Sequence, residues 1–382
     1  MKHILIVINN LNIGGIQKAL LELLKALSKR DDFSVDLFCC KQSGEFFSEI
    51  PKEIKILPRN KWAELSESTL ESCKKLGKRY YLFRLFASLW AKILNKKFPA
   101  KLLCRKIKIE DEYDVAISYS QPIHEKTFCT LTNEIVLNCC KAKKKVTFVH
   151  CDFASYGGNT PANRALYKKF DTIAVVSDSV GKVLEKCIPE TKDKIQTVYN
   201  FCNSEGIIEL SNQNPKKYST TTLITVARLS EEKGILRCVS LMKKLKDNNL
   251  NFEWHIVGGG SLKNTIKKMI VDYGMENTII LEGQQINPYR YMKNADYLFV
   301  PSFHEAAPVV FDEAIVLNLP ILTTDTLSAW ELVGQRNAGM VCENNEEAIY
   351  NMLETALRNP QEKCEKIINQ GICKKQFDSL CK

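Results

Sequence analysis

The chain has 382 residues, of which 45% are hydrophobic, so it is long enough for two domains with separate cores. Its 15 cysteines are dispersed and never spaced as C-x-x-C, which argues against a zinc site or a secreted disulfide framework and for a reducing cytosol. The net charge of +10 comes from the N-terminal half of the chain. No apolar run approaches the length that spans a bilayer, and the run at 4–8 is too short for a signal-peptide core.

The first predicted element is a buried strand at 4–8, followed by a loop that ends in Gly14 and Gly15 and by a helix with one apolar face. A strand, a glycine loop and a helix open many nucleotide-binding α/β domains. The glycine pair lacks the full G-x-G-x-x-G pattern, so glycines that only close a tight loop explain it equally well. Further strands of the N-terminal half are predicted at 35–40, 54–57, 115–118, 145–149, 172–176 and 195–199.

The basic excess is concentrated at 72–109, a segment with 12 basic residues and no acidic residue. Its centre, 80–94, mixes aromatic and aliphatic residues with periodic cations. A basic amphipathic helix of this kind can lie in the headgroup region of an anionic membrane. A helix that packs its apolar face on the core and leaves its lysines in solvent has the same periodicity, so both alternatives stay open. Nucleic-acid binding would require a recognised module, and the sequence contains none.

His150 directly follows the predicted strand at 145–149. A single histidine at a strand end is often structural. In open α/β sheets, however, ligands bind beyond the carboxyl ends of the strands, which is where this residue lies. His150 is therefore a candidate functional residue, and Asp152 in the following loop is a second candidate for ligand contact.

The C-terminal half begins, after a polar run at 211–222 that is predicted to be the interdomain linker, with an apolar strand that leads to Arg228. A short turn then brings Lys233 to the start of the next helix. Two cations at a strand end and a helix start can bind a pyrophosphate, although ordinary surface charge explains most such pairs. Strands are also predicted at 252–257, 277–281 and 295–300.

The stretch at 301–325 carries Glu305 and Glu313 on either side of Pro308. Proline suits the first position of a helix, so the N–H groups of the next two residues are predicted to face a ligand. Such a helix start attracts an anion. Glu313 would lie near the same opening, where its carboxylate can accept hydrogen bonds from hydroxyl groups. A phosphorylated sugar or a nucleoside fits both features.

Two motifs resemble those of retaining glycosyltransferases with the GT-B fold, especially glycosyltransferase family 4. The run at 226–234 is similar to the V-G-R-L-x-x-x-K-G element of that family, with Ala227 in place of its first glycine. The two glutamates match its E-x7-E element. The family usually has a glycine shortly before the next proline; Asn318, which tolerates a left-handed backbone, stands near that place here and can still end the helix.

The resemblance implies roles for individual residues. Arg228 and Lys233 would bind the donor diphosphate, Glu305 would meet the donor sugar, and Glu313 would bind the ribose hydroxyls. His150 would touch the donor sugar in the catalytic centre, and the glycine loop would let the backbone approach the donor phosphate and the acceptor. The complete set comprises catalytic His150 and Glu305, and donor-binding Gly14, Gly15, Arg228, Lys233, Ala306, Ala307, Pro308, Val309, Val310 and Glu313.

Strands that alternate with helices predict an α/β protein, and the resemblance makes it a GT-B protein with two doubly wound Rossmann-like domains facing a cleft. The predicted boundaries are 1–205 for the acceptor-side domain, 206–360 for the nucleotide-sugar domain and 361–382 for a terminal helix that crosses back to the first domain.

The implied reaction is transfer of a sugar from a nucleotide-diphosphate sugar, with UDP as the expected base, to a glycan or lipid-linked glycan in surface polysaccharide synthesis. No Asp-x-Asp pair of the metal-binding kind is present, so no metal and no cofactor are expected. The expected location is the cytoplasm, with peripheral contact to the inner face of the membrane through 72–109. Two alternatives remain: a sugar-nucleotide epimerase of the same fold, and a non-catalytic partner of a glycosyltransferase or glycan.

Overall fold

The computed structural model describes residues 1–359 and 370–382, and it divides into two compact units. Unit 1 comprises Met1–Phe201 together with Gln370–Lys382, and unit 2 comprises Cys202–Asn369. The predicted domain boundary at 360/361 lies outside the described residues.

Unit 1 contains a parallel sheet of seven strands. Residues Ile4 to Ile8 of its first strand are all apolar and fully buried, as expected of a parallel strand that is covered on both faces. The strands, in spatial order β3-β2-β1-β4-β5-β6-β7, are β1 Lys2–Ile8, β2 Phe33–Cys39, β3 Lys55–Ile56, β4 Glu112–Ser118, β5 Lys141–Val149, β6 Thr172–Val175 and β7 Ile195–Thr197. The helices before residue 200 are α1 Gly15–Leu27, α2 Leu70–Leu76, α3 Lys78–Ile93, α4 Lys97–Cys104, α5 Thr132–Asn138, α6 Pro161–Tyr167 and α7 Asp178–Cys187.

Unit 2 contains a parallel sheet of six strands with its own apolar core, which is built around the buried side chains of Trp254 and Phe299. The spatial order is β10-β9-β8-β11-β12-β13, for β8 Thr221–Val226, β9 Phe252–Val257, β10 Ile279–Gly283, β11 Tyr297–Val300, β12 Ile321–Thr324 and β13 Gly339–Cys342. The helices are α8 Ser204–Ser211, α9 Ile235–Asp247, α10 Lys263–Asp272, α11 Tyr289–Met292, α12 Val309–Val316 and α13 Glu346–Arg358.

The prediction of a linker at 211–222 was wrong, because this segment belongs to unit 2. The Asn203 side chain accepts a hydrogen bond from the backbone N–H of Gly206 and caps α8. The amide of Asn287 then donates to the carbonyl of Leu210 at 2.8 Å, which attaches the end of α8 to the loop before α11. The polar composition of the run therefore reflects an exposed turn within the unit.

The terminal helix α14, Gln370–Leu380, packs on unit 1. The Gln376 side-chain oxygen accepts a hydrogen bond from the backbone N–H of Tyr199 at 3.1 Å, and Asp378 forms an ion pair with Arg30 at 2.6 Å. Residues 361–369 of the predicted terminal helix lie outside the described ranges.

Within the described ranges, no helix is both long enough and apolar enough to cross a bilayer. Every cysteine in the same ranges is a free thiol.

Candidate donor-binding site

The strand order of unit 2 reverses between β8 and β11, so the loops after these two strands lie side by side at one edge of the sheet. Ligands of open α/β sheets bind at such a switch point. Arg228 and Lys233 follow β8, whereas Glu305 follows β11. The topology therefore brings the two motifs identified in the sequence to the same end of the sheet.

Two glycines let the turn after β8 pack closely against its neighbours. Gly234 has a φ of +65°, and a Cβ at this position would lie 2.0 Å from the carbonyl oxygen of Pro301. Gly258, which follows β9, has a φ of +153°, and its Cβ would lie 1.8 Å from the carbonyl oxygen of Ala227. Both distances are far below van der Waals contact, so only glycine fits at either position.

The predicted cation and the predicted sugar-binding carboxylate form an ion pair. Lys233 Nζ lies 2.6 Å from Glu305 Oε1, with side chains that are 22% and 11% exposed. The Ser302 hydroxyl donates to the same carboxylate oxygen at 2.8 Å. Among residues 1–359 and 370–382, Oε2 of Glu305 has no hydrogen-bond partner, which leaves that oxygen able to accept from a ligand hydroxyl.

Polar side chains donate hydrogen bonds to the backbone of the loop that carries Glu305. The Thr324 hydroxyl donates to the carbonyl of Ser302 at 2.6 Å, and Arg237 donates to the carbonyl of Pro301 at 2.7 Å. Arg237 also donates to the side chain of Asn344 at 2.6 Å. These hydrogen bonds fix the backbone of the loop that carries Glu305. The sequence analysis did not identify Arg237 or Asn344 as residues that support the site.

Arg228 is exposed and makes no ion pair or side-chain hydrogen bond within the described part of the chain. The backbone carbonyl of Arg228 accepts a hydrogen bond from the backbone N–H of Ser230 at 3.0 Å, which closes the turn that follows. The structure thus joins Lys233 to Glu305, whereas it leaves the guanidinium of Arg228 in solvent.

The helix of the second motif begins one residue later than predicted. Pro308 has a ψ of 124° and precedes α12 as its cap, so Val309 is the first helical residue. The carbonyl of Pro308 accepts the first hydrogen bond, from the N–H of Phe311 at 3.1 Å. The amides of Val309 and Val310 lie ahead of the intrahelical ladder, as the initial N–H groups of any helix do. Ala306 and Ala307 lie in the loop that leads to them.

The same helix ends at a left-handed asparagine, as the sequence predicts. Asn318 has a φ of +52°, a value that asparagine adopts more readily than most residues. Its backbone N–H donates to the carbonyl of Ile315 at 3.1 Å, which closes the turn after α12. The substitution of asparagine for the usual glycine therefore leaves the helix stop intact.

Glu313 is buried in the second turn of α12, where it is 8% exposed. The hydroxyl of Tyr289, which is also buried, donates to Glu313 Oε1 at 2.7 Å. Tyr289 begins α11 and lies 24 residues before Glu313 in the chain. The spacing of the motif contains no signal for this partner, so the sequence analysis did not find it.

In unit 1, the glycine loop lies at the corresponding switch point, because β1 is flanked by β2 and β4. Gly14 is extended, with a φ of −178°, and caps α1. A Cβ on Gly15 would have no atom within 4 Å. The fold of unit 1 therefore does not itself require a glycine at position 15, which leaves room for close approach of a ligand.

His150 directly follows β5 of unit 1, and its ring packs against two aromatic residues that also contact each other. The ring centroids of Tyr119 and Phe148 lie 4.8 and 5.4 Å away, and the backbone N–H of His150 donates to Gln121 Oε1 at 2.7 Å. Nε2 of the ring is buried without a hydrogen-bond partner in the described chain. Burial lowers the pKa of His150 to about 4, against the opposing effect of a hydrogen bond to the Tyr119 backbone, so the imidazole is neutral near pH 7.

The second candidate after β5, Asp152, is used within its own loop. Its carboxylate accepts hydrogen bonds from the backbone N–H of Ala154 at 2.9 Å and from the hydroxyl of Ser155 at 2.8 Å. These contacts are those of a local turn. Contact between Asp152 and a ligand remains a prediction.

We expect the folded protein to lose stability as the pH falls from about 6.5 towards 4, because only the unfolded chain protonates His150 in that window. Above pH 6.5 the residue is neutral in both states and contributes no pH dependence. Urea unfolding of the wild type and His150→Gln at about pH 7.5 and about pH 5 measures the effect. The wild type should lose roughly 1–2 kcal/mol more than the variant. Equal losses would contradict a buried neutral histidine.

No group of three or more histidine, cysteine, aspartate or glutamate side chains in residues 1–359 and 370–382 is arranged to hold a metal ion. The expectation that the reaction needs no metal remains a prediction.

Each of the two units has a parallel sheet whose strand order reverses at a point where ligands bind in open α/β sheets. This pair of sheets is typical of the GT-B class of α/β proteins. Solved structures share the fold: HepE of Anabaena, in complex with UDP and glucose, matches with a TM-score of 0.67 and 15% identity, over 100% of this chain and 96% of that chain. WaaG, a glycosyltransferase involved in lipopolysaccharide biosynthesis, matches with a TM-score of 0.60 and 16% identity, over 98% and 94%. The predicted fold class is confirmed.

Residues 207–373 match the family model described as glycosyl transferases group 1. The matched range includes both motifs on which the resemblance was based. The predicted resemblance to group 1 glycosyltransferases is therefore confirmed.

The curated relatives that are similar to this chain are named as glycosyltransferases or as a sugar transferase. An uncharacterized glycosyltransferase of Methanocaldococcus jannaschii is 29% identical over 170 residues, which are 43% of this chain and 42% of the relative. The putative colanic acid biosynthesis glycosyltransferase WcaL of Escherichia coli is 25% identical over 248 residues, 58% and 59% respectively. The chain thus spans about half the length of these two relatives. A Campylobacter jejuni N-acetylgalactosaminyltransferase, named for an undecaprenol-diphosphate-linked glycan, is 22% identical over 99% of this chain and 95% of its own.

Proposed function

We propose that this protein is a retaining, metal-independent glycosyltransferase that transfers a sugar from a UDP-sugar to a glycan or lipid-linked glycan. The ion pair of Lys233 with Glu305 carries the proposal, because it unites the two donor motifs at one switch point of unit 2. The group 1 match at 207–373, and the UDP and glucose named for the Anabaena structure, support it.

The donor diphosphate is bound by cations and by the start of a helix. Lys233 turns its ammonium from Glu305 towards a phosphate oxygen, and Arg228, which is exposed at the start of the same turn, supplies a guanidinium. The amides from Ala306 to Val310 complete the anion site ahead of α12. Because negative charge grows on the diphosphate as the glycosidic bond breaks, these groups stabilise the transition state more than the bound donor.

Glu305 and Glu313 position the two sugars of the donor. The free oxygen of Glu305 accepts a hydrogen bond from a hydroxyl of the transferred sugar, while its other oxygen stays on Ser302. Glu313, oriented by Tyr289, accepts from the ribose hydroxyls. The acceptor hydroxyl attacks from the face that the diphosphate leaves and gives its proton to the departing phosphate oxygen, so the anomeric configuration is kept. Among residues of unit 1, neutral His150 touches the donor sugar, and Gly14 and Gly15 allow the backbone to approach phosphate and acceptor.

The acceptor is a glycan intermediate of surface polysaccharide synthesis, presented on a lipid at the cytoplasmic face of the membrane. The names of the Escherichia coli and Campylobacter jejuni relatives support this assignment. The basic segment 72–109 would bring the enzyme to that surface.

Proton NMR of the protein with a panel of nucleotide sugars, in the presence of EDTA, tests the reaction. We expect slow release of the sugar from one donor, with the anomeric coupling of the first product matching that of the donor. Release only after a divalent metal is added would contradict metal independence, and an inverted first product would contradict retention. Interconversion of the nucleotide sugar without release would instead identify an epimerase.

A further inference from the structure

Helix α3 of unit 1 buries its small side chains and exposes its large apolar ones, the reverse of an ordinary surface helix. Its buried positions are Tyr80, Ala87 and Ala91, which lie on one face at helical spacing. The opposite face carries larger apolar side chains, with exposed fractions of 51%, 37%, 53% and 74% at Leu82, Phe86, Leu89 and Ile93. An ordinary surface helix would bury those four residues and expose the alanines.

These four residues, together with Leu94 and Phe98 in the turn to α4, form the apolar stripe. Leu94 and Phe98 are 55% and 45% exposed. Aromatic contacts keep the stripe in place, since the ring of Trp90 lies 4.9 Å from that of Phe98 and 5.6 Å from that of Phe86. A contiguous exposed apolar surface on a folded protein marks an interaction site.

The cations around the stripe are unneutralised. Ten of the 12 basic residues of 72–109 are exposed, and none of the ten has a carboxylate within ion-pair distance in the described chain. The other two have structural partners: Arg84 donates to the carbonyl of Ser68, and buried Lys96 pairs with Glu134 at 3.4 Å. The exposed ten are Lys74, Lys75, Lys78, Arg79, Lys92, Lys97, Lys101, Arg105, Lys106 and Lys108.

A cavity of about 300 Å³ lies beside this helix pair and shares its chemistry. Its walls combine the apolar side chains of Trp62, Phe83 and Leu102 with the cations Arg105 and Lys106. Apolar and cationic groups therefore occur together both on the surface of the α3–α4 segment and in the cavity beside it.

We infer that the apolar stripe inserts into the interfacial region of an anionic lipid bilayer while the surrounding cations bind lipid headgroups. This combination is the one that holds an amphipathic helix in the plane of a membrane. A second copy of the chain fits poorly, because a two-fold contact would place the unneutralised cations against each other. A nucleic acid would neutralise the cations but leave the apolar stripe in water.

This inference deepens the proposed function, on which it rests only for the presence of an acceptor at the membrane. It assigns the contact to one helix face, and it chooses between the two alternatives that the sequence left open. Because vesicle binding requires no nucleotide, its failure would leave the donor site intact. Failure of nucleotide binding would equally leave the membrane contact intact.

Flotation of the full chain with extruded vesicles tests the inference, using phosphatidylcholine alone and phosphatidylcholine mixed with phosphatidylglycerol. We expect flotation only with the anionic vesicles and roughly tenfold weaker binding for the double variant Leu89→Ser, Ile93→Ser. Val271→Ser, which changes a residue of unit 2 that is 53% exposed like Leu89, is the matched control and should bind as the wild type does.

Several outcomes would overturn the inference. Equal flotation with neutral vesicles would remove the role of the cations, and no flotation would remove the contact itself. Loss of binding in Lys97→Glu, Lys101→Glu with full binding in the serine double variant would reduce the surface to a general polyanion site. A dimer in analytical ultracentrifugation that the serine variant dissociates would show that a second copy covers the stripe.

Discussion

Lys233→Ala is expected to weaken the binding of UDP by roughly 100-fold, because a charge-assisted contact to phosphate is worth about 2–3 kcal/mol. The variant also leaves Glu305, 11% exposed in the wild type, without its cation, so its carboxylate adds repulsion towards the diphosphate. The measurement is the rise in melting temperature that UDP produces, since a ligand that binds only the folded state stabilises it in proportion to the logarithm of its concentration over Kd.

The comparison has two controls. Lys233→Arg keeps the positive charge and should retain part of the UDP effect, because the guanidinium cannot reproduce the compact ammonium contact. Lys268→Ala removes an exposed lysine of α10 and should respond to UDP like the wild type. An undiminished melting-temperature rise in Lys233→Ala would remove this residue from the diphosphate site.

Gly234→Ala is expected to destabilise unit 2 by about 3 kcal/mol or more, through two costs of different origin. The left-handed backbone, with a φ of +65°, is disfavoured by about 1 kcal/mol for alanine. The remainder arises because the added Cβ would lie 2.0 Å from the carbonyl oxygen of Pro301, so the turn that carries Lys233 must separate from the end of β11. Urea unfolding followed by circular dichroism measures the loss.

Gly274→Ala separates the two costs. Gly274 has nearly the same backbone, with a φ of +63°, but no atom lies within 4 Å of the added Cβ. This variant should therefore lose only about 1 kcal/mol. Similar losses in both variants would mean that the close approach to Pro301 contributes nothing to stability.

Much of the fold could be predicted from the sequence, because parallel strands that are covered on both faces are short, continuous apolar runs. Phe252–Val257 has the predicted bounds, and β1, β4 and β5 extend the predicted strands at their start by two to four residues. The strands β12 and β13 were not predicted. β12 ends in two threonines and β13 begins with a glycine, so each keeps at most three consecutive apolar residues.

Residue patterns alone predicted two separate motifs, and only the family resemblance assigned both of them to one donor. Lys233 and Glu305 lie 72 residues apart in the chain, so only the strand order that places β8 beside β11 brings them into contact. Tyr289 and Arg237 escaped notice for the same reason: each supports the site from an element whose position depends on tertiary packing.

For helix α3, the periodicity of apolar residues could not predict which face of the helix is buried. Its sequence repeats the same pattern whether its large apolar face is buried or exposed. Only the packing of Ala87 and Ala91 against unit 1 decides that the face with Leu89 and Ile93 is turned outward.

Calorimetric titration of the wild type with UDP, GDP and ADP, in buffer containing EDTA, tests the central claim most directly. A donor site formed by Lys233, Glu305 and Glu313 predicts binding of one nucleotide per chain, with UDP preferred and no requirement for metal. Absence of binding by all three nucleotides would contradict a working donor site, and would point to a non-catalytic partner with the glycosyltransferase fold.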